Sequence, residues 1–125
     1  MIKLKSLMEY YIHRTKNIKQ IKKYGLKPYN GVFGKAIYLT KPEYDIHSYG
    51  KTIPLKVELS NIKLNKDYNH KNAYEDLMKL KDEVGDLQKY FLSKGFDGLD
   101  LTKFIHEPQI ILYNEKKIKN IGIAK

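Results

Sequence analysis

Residues 72–113 read NAYEDLMKLKDEVGDLQKYFLSKGFDGLDLTKFIHEPQIILY, and the change of period inside this stretch decides the fold class. Tyr74, Leu77, Leu80, Val84, Leu87 and Phe91 recur three or four residues apart, the spacing that lines apolar side chains along one face of an α-helix. Asn72 with Glu75 makes a capping-box pattern at the start. Gly85 splits or bends the run, and Gly95 ends it. Asp97-Gly98 then signals a tight turn. Leu99 to Phe104 and Gln109 to Tyr113 follow as two strands joined around Pro108, with no helix between them. That order fits an α+β fold and not an alternating, doubly wound one.

The segments on the N-terminal side agree. Pro54 to Leu59 alternates Leu55, Val57 and Leu59 with Lys56 and Glu58, the period-2 pattern of a half-buried strand. Ala36 to Thr40 reads as a buried strand, entered through a flexible turn at Gly31 and Gly34. Met8 to His13 is a tyrosine-rich strand. A helix follows over Ile18 to Tyr24: Asn17 and Gln20 form a capping box, Ile18 and Ile21 share a face, and Gly25 suits the left-handed stop. Lys16, Lys19, Lys22 and Lys23 then point to solvent. Asn114 to Ile118 reads as a turn or short helical piece, and Ile121 to Ala124 as a short final strand. The predicted order is β-α-β-β-α-β-β.

No linker, repeat or low-complexity segment divides the chain, so residues 1–125 are expected to form one domain, and 42% apolar residues suffice for one modest core. No stretch approaches the roughly 18 apolar residues of a membrane helix, and Met1 to Met8 alternates lysine with aliphatics instead of forming a signal-peptide core. The expectation is a soluble, cytoplasmic protein. The chain has no cysteine, which excludes disulfides, thiolate nucleophiles and thiolate metal sites. Its net charge of +10 invites a nucleic-acid reading, but Arg14 is the sole arginine against 23 lysines, whereas phosphate and base-edge readers favour the planar guanidinium fork. The charge is also uneven: residues 1–35 carry nine positive side chains and one negative, residues 73–110 five and eight.

Four segments together carry a resemblance. Ile12-His13-Arg14-Thr15 stands at a strand end; IKQIKKYGLKP occupies residues 18–28; FGKAIYLTKPEYDIHSY spans 33–49, with Tyr38 and Tyr49 eleven residues apart; GFDG at 95–98 and QIILYNEKKI at 109–118 close the set. Each is weak alone, since a strand-end histidine, a core tyrosine or a glycine turn is commonplace. In this order and spacing they resemble the poly(ADP-ribose) polymerase and diphtheria-toxin branch of the ADP-ribosyltransferase superfamily, including its small bacterial and phage members. The resemblance covers about residues 10–120 and is weakest over 60–90.

The resemblance implies an ADP-ribosyltransferase fold of two short, split antiparallel sheets with flanking helices, binding NAD as substrate without a metal. It implies that His13 hydrogen-bonds the adenosine-side ribose, that Tyr38 and Tyr49 sandwich the nicotinamide ring, and that Thr15 or the backbone at residue 14 holds the carboxamide. Aromatic faces suit a planar pyridinium by area and by cation–π attraction, and glycosidic cleavage through an oxocarbenium-like state calls for a nearby carboxylate. Two positions depart from the family pattern. Gln109 stands where the catalytic glutamate is usual, which removes negative charge and leaves a hydrogen bond. Glu107 lies two residues upstream, on the same face if the strand extends through Pro108. Arg14 replaces a glycine, narrowing the pocket while offering a guanidinium to a pyrophosphate.

The resulting expectation is an NAD-dependent mono-ADP-ribosyltransferase, a phage or bacterial effector, with Glu107 and Gln109 as the catalytic pair and a protein favoured over a nucleic acid as the acceptor macromolecule. The alternative is a non-catalytic NAD-, ADP-ribose- or protein-binding module on the same fold, which Gln109 favours. An NAD glycohydrolase would use the same pocket. An RNA 2′-phosphotransferase-like enzyme has only the basic first third of the chain in its support.

Overall fold

The computed structural model describes residues 8–44, 52–104 and 107–123; Tyr49 and the first seven residues lie outside them. The described residues build two small sheets and three α-helices, an α+β architecture whose strands are mostly antiparallel. Strand β1 (Met8–Thr15) leads to helix α1 (Ile18–Tyr24), then β2 (Tyr29–Gly31), β3 (Gly34–Leu39), β4 (Ile53–Ser60) and β5 (Leu64–Asn65). Helices α2 (Ala73–Val84) and α3 (Leu87–Ser93) precede β6 (Gly98–Leu101), β7 (Gln109–Leu112) and β8 (Ile118–Ile123). One sheet has the order β1-β4-β8, the other β2-β3-β7-β6-β5. Among the described strands, β5 and β6 alone run parallel. A pair of backbone bonds between Ile12 and Thr40 joins β1 to the end of β3 and so stitches the two sheets together.

Period-2 alternation divides the core. On β3 and β7, Ile37, Leu39, Ile110 and Leu112 face Leu55, Val57 and Leu59 of β4 and fill the space between the sheets. The alternate residues Ala36, Ile111 and Tyr113 face the opposite way, onto Ala73 and Leu77 of α2 and Leu87 and Phe91 of α3. Strand β7 is therefore covered on both faces, and all four of its residues are buried, which is why it reads as a continuous apolar run instead of an alternating one. Ile18 and Ile21 of α1 cover the edge of the inter-sheet core, while Lys16, Lys19, Lys22 and Lys23 are exposed as their spacing predicts.

The helix ends explain themselves. Asn17 accepts from the Gln20 backbone N–H, and Gly25, at φ 79°, closes the last turn of α1. Gly85, at φ 83°, splits the long periodic run into α2 and α3, and Asp86 caps α3 by accepting from the Lys89 N–H. The Asn72–Glu75 capping box does not form. The Asn72 backbone N–H donates to His70 Nδ1 instead, and no side-chain cap closes α2.

Asp97-Gly98 is not a hairpin turn. Asp97 is a buried tie between elements: its carboxylate accepts from the Lys63 N–H at 2.8 Å and from Asn114 Nδ2 at 2.9 Å, and its carbonyl accepts from Tyr113 and Asn114. Gly98 opens β6, and a Cβ there would collide with the Ile111 carbonyl oxygen across the β6–β7 ladder. Glycine is required by that close approach rather than by an unusual dihedral angle.

Candidate functional site

Where α2 and α3 leave the five-stranded sheet uncovered, a cleft of about 410 Å³ opens on its helix-bearing side, within the range of small-ligand sites. Five aromatic side chains, Tyr29, Phe33, Tyr38, Tyr74 and Phe104, form most of its wall. Gly31 and Val32 of the β2–β3 hairpin shape the rim, and Glu107 and Gln109 complete the lining.

The hairpin holds Tyr38 in place. Gly31 pairs with Gly34 across the turn, and the Tyr38 phenol both accepts from the Phe33 N–H at 3.0 Å and donates to the Gly34 carbonyl at 2.7 Å. Its ring lies directly over Gly31, where a Cβ would come within 2.5 Å of the ring carbon that bears the hydroxyl. Burial, opposed in part by the bond from Phe33 and reinforced by Tyr29, pushes the Tyr38 phenol up to about 12. Tyr113 clamps the same turn by donating to the Phe33 carbonyl at 2.7 Å, and its ring stacks on Phe91.

His13 stands beside this group because the Ile12–Thr40 bridge brings β1 against the end of β3. Its Nδ1 lies 3.1 Å from the Tyr38 carbonyl oxygen. A carbonyl only accepts, so Nδ1 carries the proton and Nε2 presents a lone pair. Burial, outweighing that hydrogen bond, holds the imidazole below its ordinary value and keeps it neutral at pH 7. The His13 and Tyr29 ring centres are 6.4 Å apart, and those of Tyr29 and Tyr38 5.4 Å. His13 thus adjoins the cleft behind Tyr29 without forming part of its wall.

Glu107 and Gln109 reach the cleft from the segment entering β7, as side chains at i and i+2 of extended chain should. That segment is held by Thr40, whose hydroxyl donates to the Pro108 carbonyl at 3.2 Å. Gln109 is 7% exposed, and none of the hydrogen bonds among the described residues engages its side-chain amide. Glu107 is exposed. Burial, and secondarily the Glu107 charge, pushes the Tyr29 phenol up, which places the carboxylate within electrostatic reach of that ring.

The structure therefore brings Tyr38, Glu107 and Gln109 to one cleft with His13 adjoining. Arg14 and Thr15 are not among its lining residues. Arg14 donates to Thr52 Oγ1 at 3.4 Å, and the Thr15 hydroxyl accepts from the Asn17 N–H at the entry to α1. Tyr49 is outside the described residues. Sequence does not mark Tyr29, Phe33, Tyr74 and Phe104 as site residues, because nothing in it distinguishes them from core aromatics. Among the described residues no three His, Asp or Glu side chains gather as a metal site would need, and no helix is long and apolar enough to cross a membrane. Comparison of the chain with protein-family models, with curated proteins and with solved structures finds no match.

Proposed function

We propose that the chain is an NAD-dependent mono-ADP-ribosyltransferase with the ADP-ribosyltransferase fold, an effector of bacterial or phage type that acts in the cytoplasm on a protein acceptor. The observation that carries this reading is the meeting of His13, Tyr38 and the Glu107–Gln109 pair, three segments distant in sequence, around one aromatic cleft. The split pair of antiparallel sheets joined at Ile12–Thr40 supports the fold assignment. The donor set also suits the substrate: aromatic faces for a pyridinium, and in Gln109 an amide with its hydrogen-bonding capacity unspent.

In this reading the nicotinamide ring stacks against the tyrosine faces, with Tyr49 supplying the second one. His13 Nε2 accepts a hydrogen bond from a hydroxyl of the adenosine-side ribose, and the Gln109 amide hydrogen-bonds the nicotinamide ribose. The bond from the ribose anomeric carbon to the pyridinium nitrogen breaks, and its electron pair neutralises the departing nicotinamide. The Glu107 carboxylate stabilises the positive charge left on the ribose. An acceptor nucleophile then bonds the anomeric carbon and loses its proton to water.

Following nicotinamide release from NAD, with and without a lysate of candidate acceptors, tests the proposal. Release with transfer of label to a macromolecule is the expected result; release without transfer indicates a glycohydrolase. Gln109 at the usual glutamate position favours a second reading, a non-catalytic binding module, and no release with any acceptor would establish it over the first. The described lining of the cleft includes no lysine or arginine, which weighs against an RNA 2′-phosphotransferase.

A further inference from the structure

The charge on helix α1 serves nothing that the fold requires. No Asp or Glu occurs between Glu9 and Glu43, and Lys16, Lys19, Lys22 and Lys23 fall within this acid-free stretch. All four are exposed, and none of them has an ion pair among the described residues, whereas the nearby Lys27 is paired with Glu115 at 3.4 Å. Lysines three and four residues apart on a helix repel one another and weaken it. Lys19 also stands in the first turn, where the helix dipole favours an acid, and no acid is there. The apolar side chains of α1 point the other way: Ile18 and Ile21 pack on the edge of the inter-sheet core. The helix lies beside the cleft, because the chain enters it from the end of β1, where His13 stands, and leaves it for β2 at Tyr29. The rings at these two ends of the excursion are 6.4 Å apart.

From this arrangement we infer that the lysine face of α1 is a docking surface for an acidic segment of the acceptor protein, which it holds beside the cleft. The inference rests on the transferase reading for calling the partner an acceptor; the affinity of the face for carboxylates does not depend on it. Unpaired ammonium groups on one side of a short helix complement a run of Asp and Glu side chains and steer its approach, while the excess of acids over residues 73–110 disfavours the same partner there. A protein fits better than the other polyanions. Helix α1 has no arginine, whose planar fork suits phosphates and bases, and lysine acts as a compact point charge. Its isoleucines are engaged in the core, so it presents no apolar face to bury in a bilayer. A tethered acceptor reaches the cleft at raised effective concentration.

The test uses the whole chain and, as the probe, a short fluorescent glutamate homopeptide followed by anisotropy. Lys16→Glu/Lys19→Glu is expected to weaken binding about tenfold or more, whereas Lys71→Glu/Lys79→Glu should leave it within about twofold. The second pair makes the same change in net charge at exposed positions before and on α2. The thermal midpoint of the first pair should hold or rise, since an acid at residue 19 attracts Lys22 and Lys23 and suits the start of the helix. The neutral pair Lys16→Gln/Lys19→Gln should give an intermediate loss of binding, which a folding defect would not grade with charge. Equal loss in the two charge-matched variants reduces the effect to net charge and overturns the inference. Tighter binding of a single-stranded oligonucleotide, or of phosphatidylserine vesicles, through Lys16 and Lys19 at the same salt overturns it too and assigns the face to nucleic acid or to a membrane. Nicotinamide release keeps this inference apart from the transferase reading, because Lys16 and Lys19 lie outside the described wall of the cleft and their variants should release nicotinamide from NAD as the wild type does. Peptide binding that depends on the two lysines, with no release by any form of the protein, sustains the docking face and sinks the transferase; release with binding indifferent to them does the reverse.

Discussion

Replacing Gly31 with alanine should expel the Tyr38 ring from its seat. The backbone at Gly31 lies outside the left-handed region, so alanine is acceptable there as a conformation, and the cost arises from the new methyl group. That methyl would sit 2.5 Å from the ring carbon bearing the hydroxyl and 2.5 Å from the hydroxyl oxygen itself. Because the phenol is the end of a side chain, it yields rather than the hairpin. In yielding it gives up the bonds to the Phe33 N–H and the Gly34 carbonyl, each worth about 1 kcal/mol net, and part of its packing on Tyr29, worth about 0.5–1.5 kcal/mol. The expected loss is about 2–3 kcal/mol, and the thermal midpoint should fall by about 10 °C for a domain of this size. An alkaline absorbance titration reads the same event, since a released Tyr38 no longer titrates as high as about 12. In a Tyr38→Phe background the hydroxyl bonds are already gone, so adding Gly31→Ala should cost less, with a coupling of about 1–2 kcal/mol. A loss below about 0.5 kcal/mol, or strictly additive variants, would refute the claim that Gly31 is the seat of the ring.

Three further outcomes are expected, two from the geometry and the one on nicotinamide release from the proposed transferase activity. Burial holds His13 below its ordinary value of 6.5, so below that pH the unfolded chain binds a proton that the folded one resists; stability should decline as pH falls from about 6.5 towards 5 and be indifferent to His13 above it. Thermal midpoints across this range should slope less in His13→Gln than in the wild type, and parallel slopes would assign the effect to other groups. Nicotinamide release should collapse in Glu107→Gln, fall less in Gln109→Ala, and rise by about 10²–10³ in Gln109→Glu, which restores the missing charge; full activity in Glu107→Gln would mean that the charge comes from elsewhere. Gly98→Ala should cost about 3 kcal/mol or more in urea denaturation, because the obstacle is the Ile111 backbone and not a side chain that can turn aside; an unchanged midpoint would contradict the β6–β7 register.

The elements that were legible in the sequence are those whose own periodicity is long enough to show. Helix α1 has the predicted bounds, the alternation of Leu55, Val57 and Leu59 marks β4, and Gly85 divides α2 from α3. Strands β2 and β5, of three and two residues, have no period to read and exist because β3 and β6 offer them a ladder. Strand β8 begins three residues earlier than Ile121 for the same reason, through its pairing with β4. At Asp97-Gly98 the local signal was real but its cause was different. The dipeptide signals a tight turn, whereas Gly98 is there to omit a Cβ and Asp97 to tie Lys63 to the Tyr113–Asn114 segment. The Glu75 half of the Asn72–Glu75 box is lost because His70 Nδ1, two residues before Asn72, accepts from the Asn72 N–H, a competition that a four-residue pattern does not contain.

The candidate site was legible only where a side chain belongs to an ordered string of motifs. His13 and Tyr38 sit near the ends of β1 and β3 and Gln109 opens β7, and strand order with register then brings them together: Tyr38 pairs with Ile111, and Ile12 bridges to Thr40. Glu107 follows from Gln109 by the two-residue repeat of extended chain. Tyr29 had no such guide. In a chain with eleven tyrosines its identity carries no information, and its place beside His13 and Tyr38 depends on the tight Gly31–Gly34 hairpin folding β2 back along β3. The same hairpin makes the difference between the two tyrosines. Gly31 lets Tyr38 lie flat and fixed, while Tyr29, two residues earlier on the same strand, remains open to the cleft. A rigid ring held by two hydrogen bonds sets the position of the wall, and a free ring beside a carboxylate is left to meet the ligand. The difference between the two rings therefore originates in Gly31.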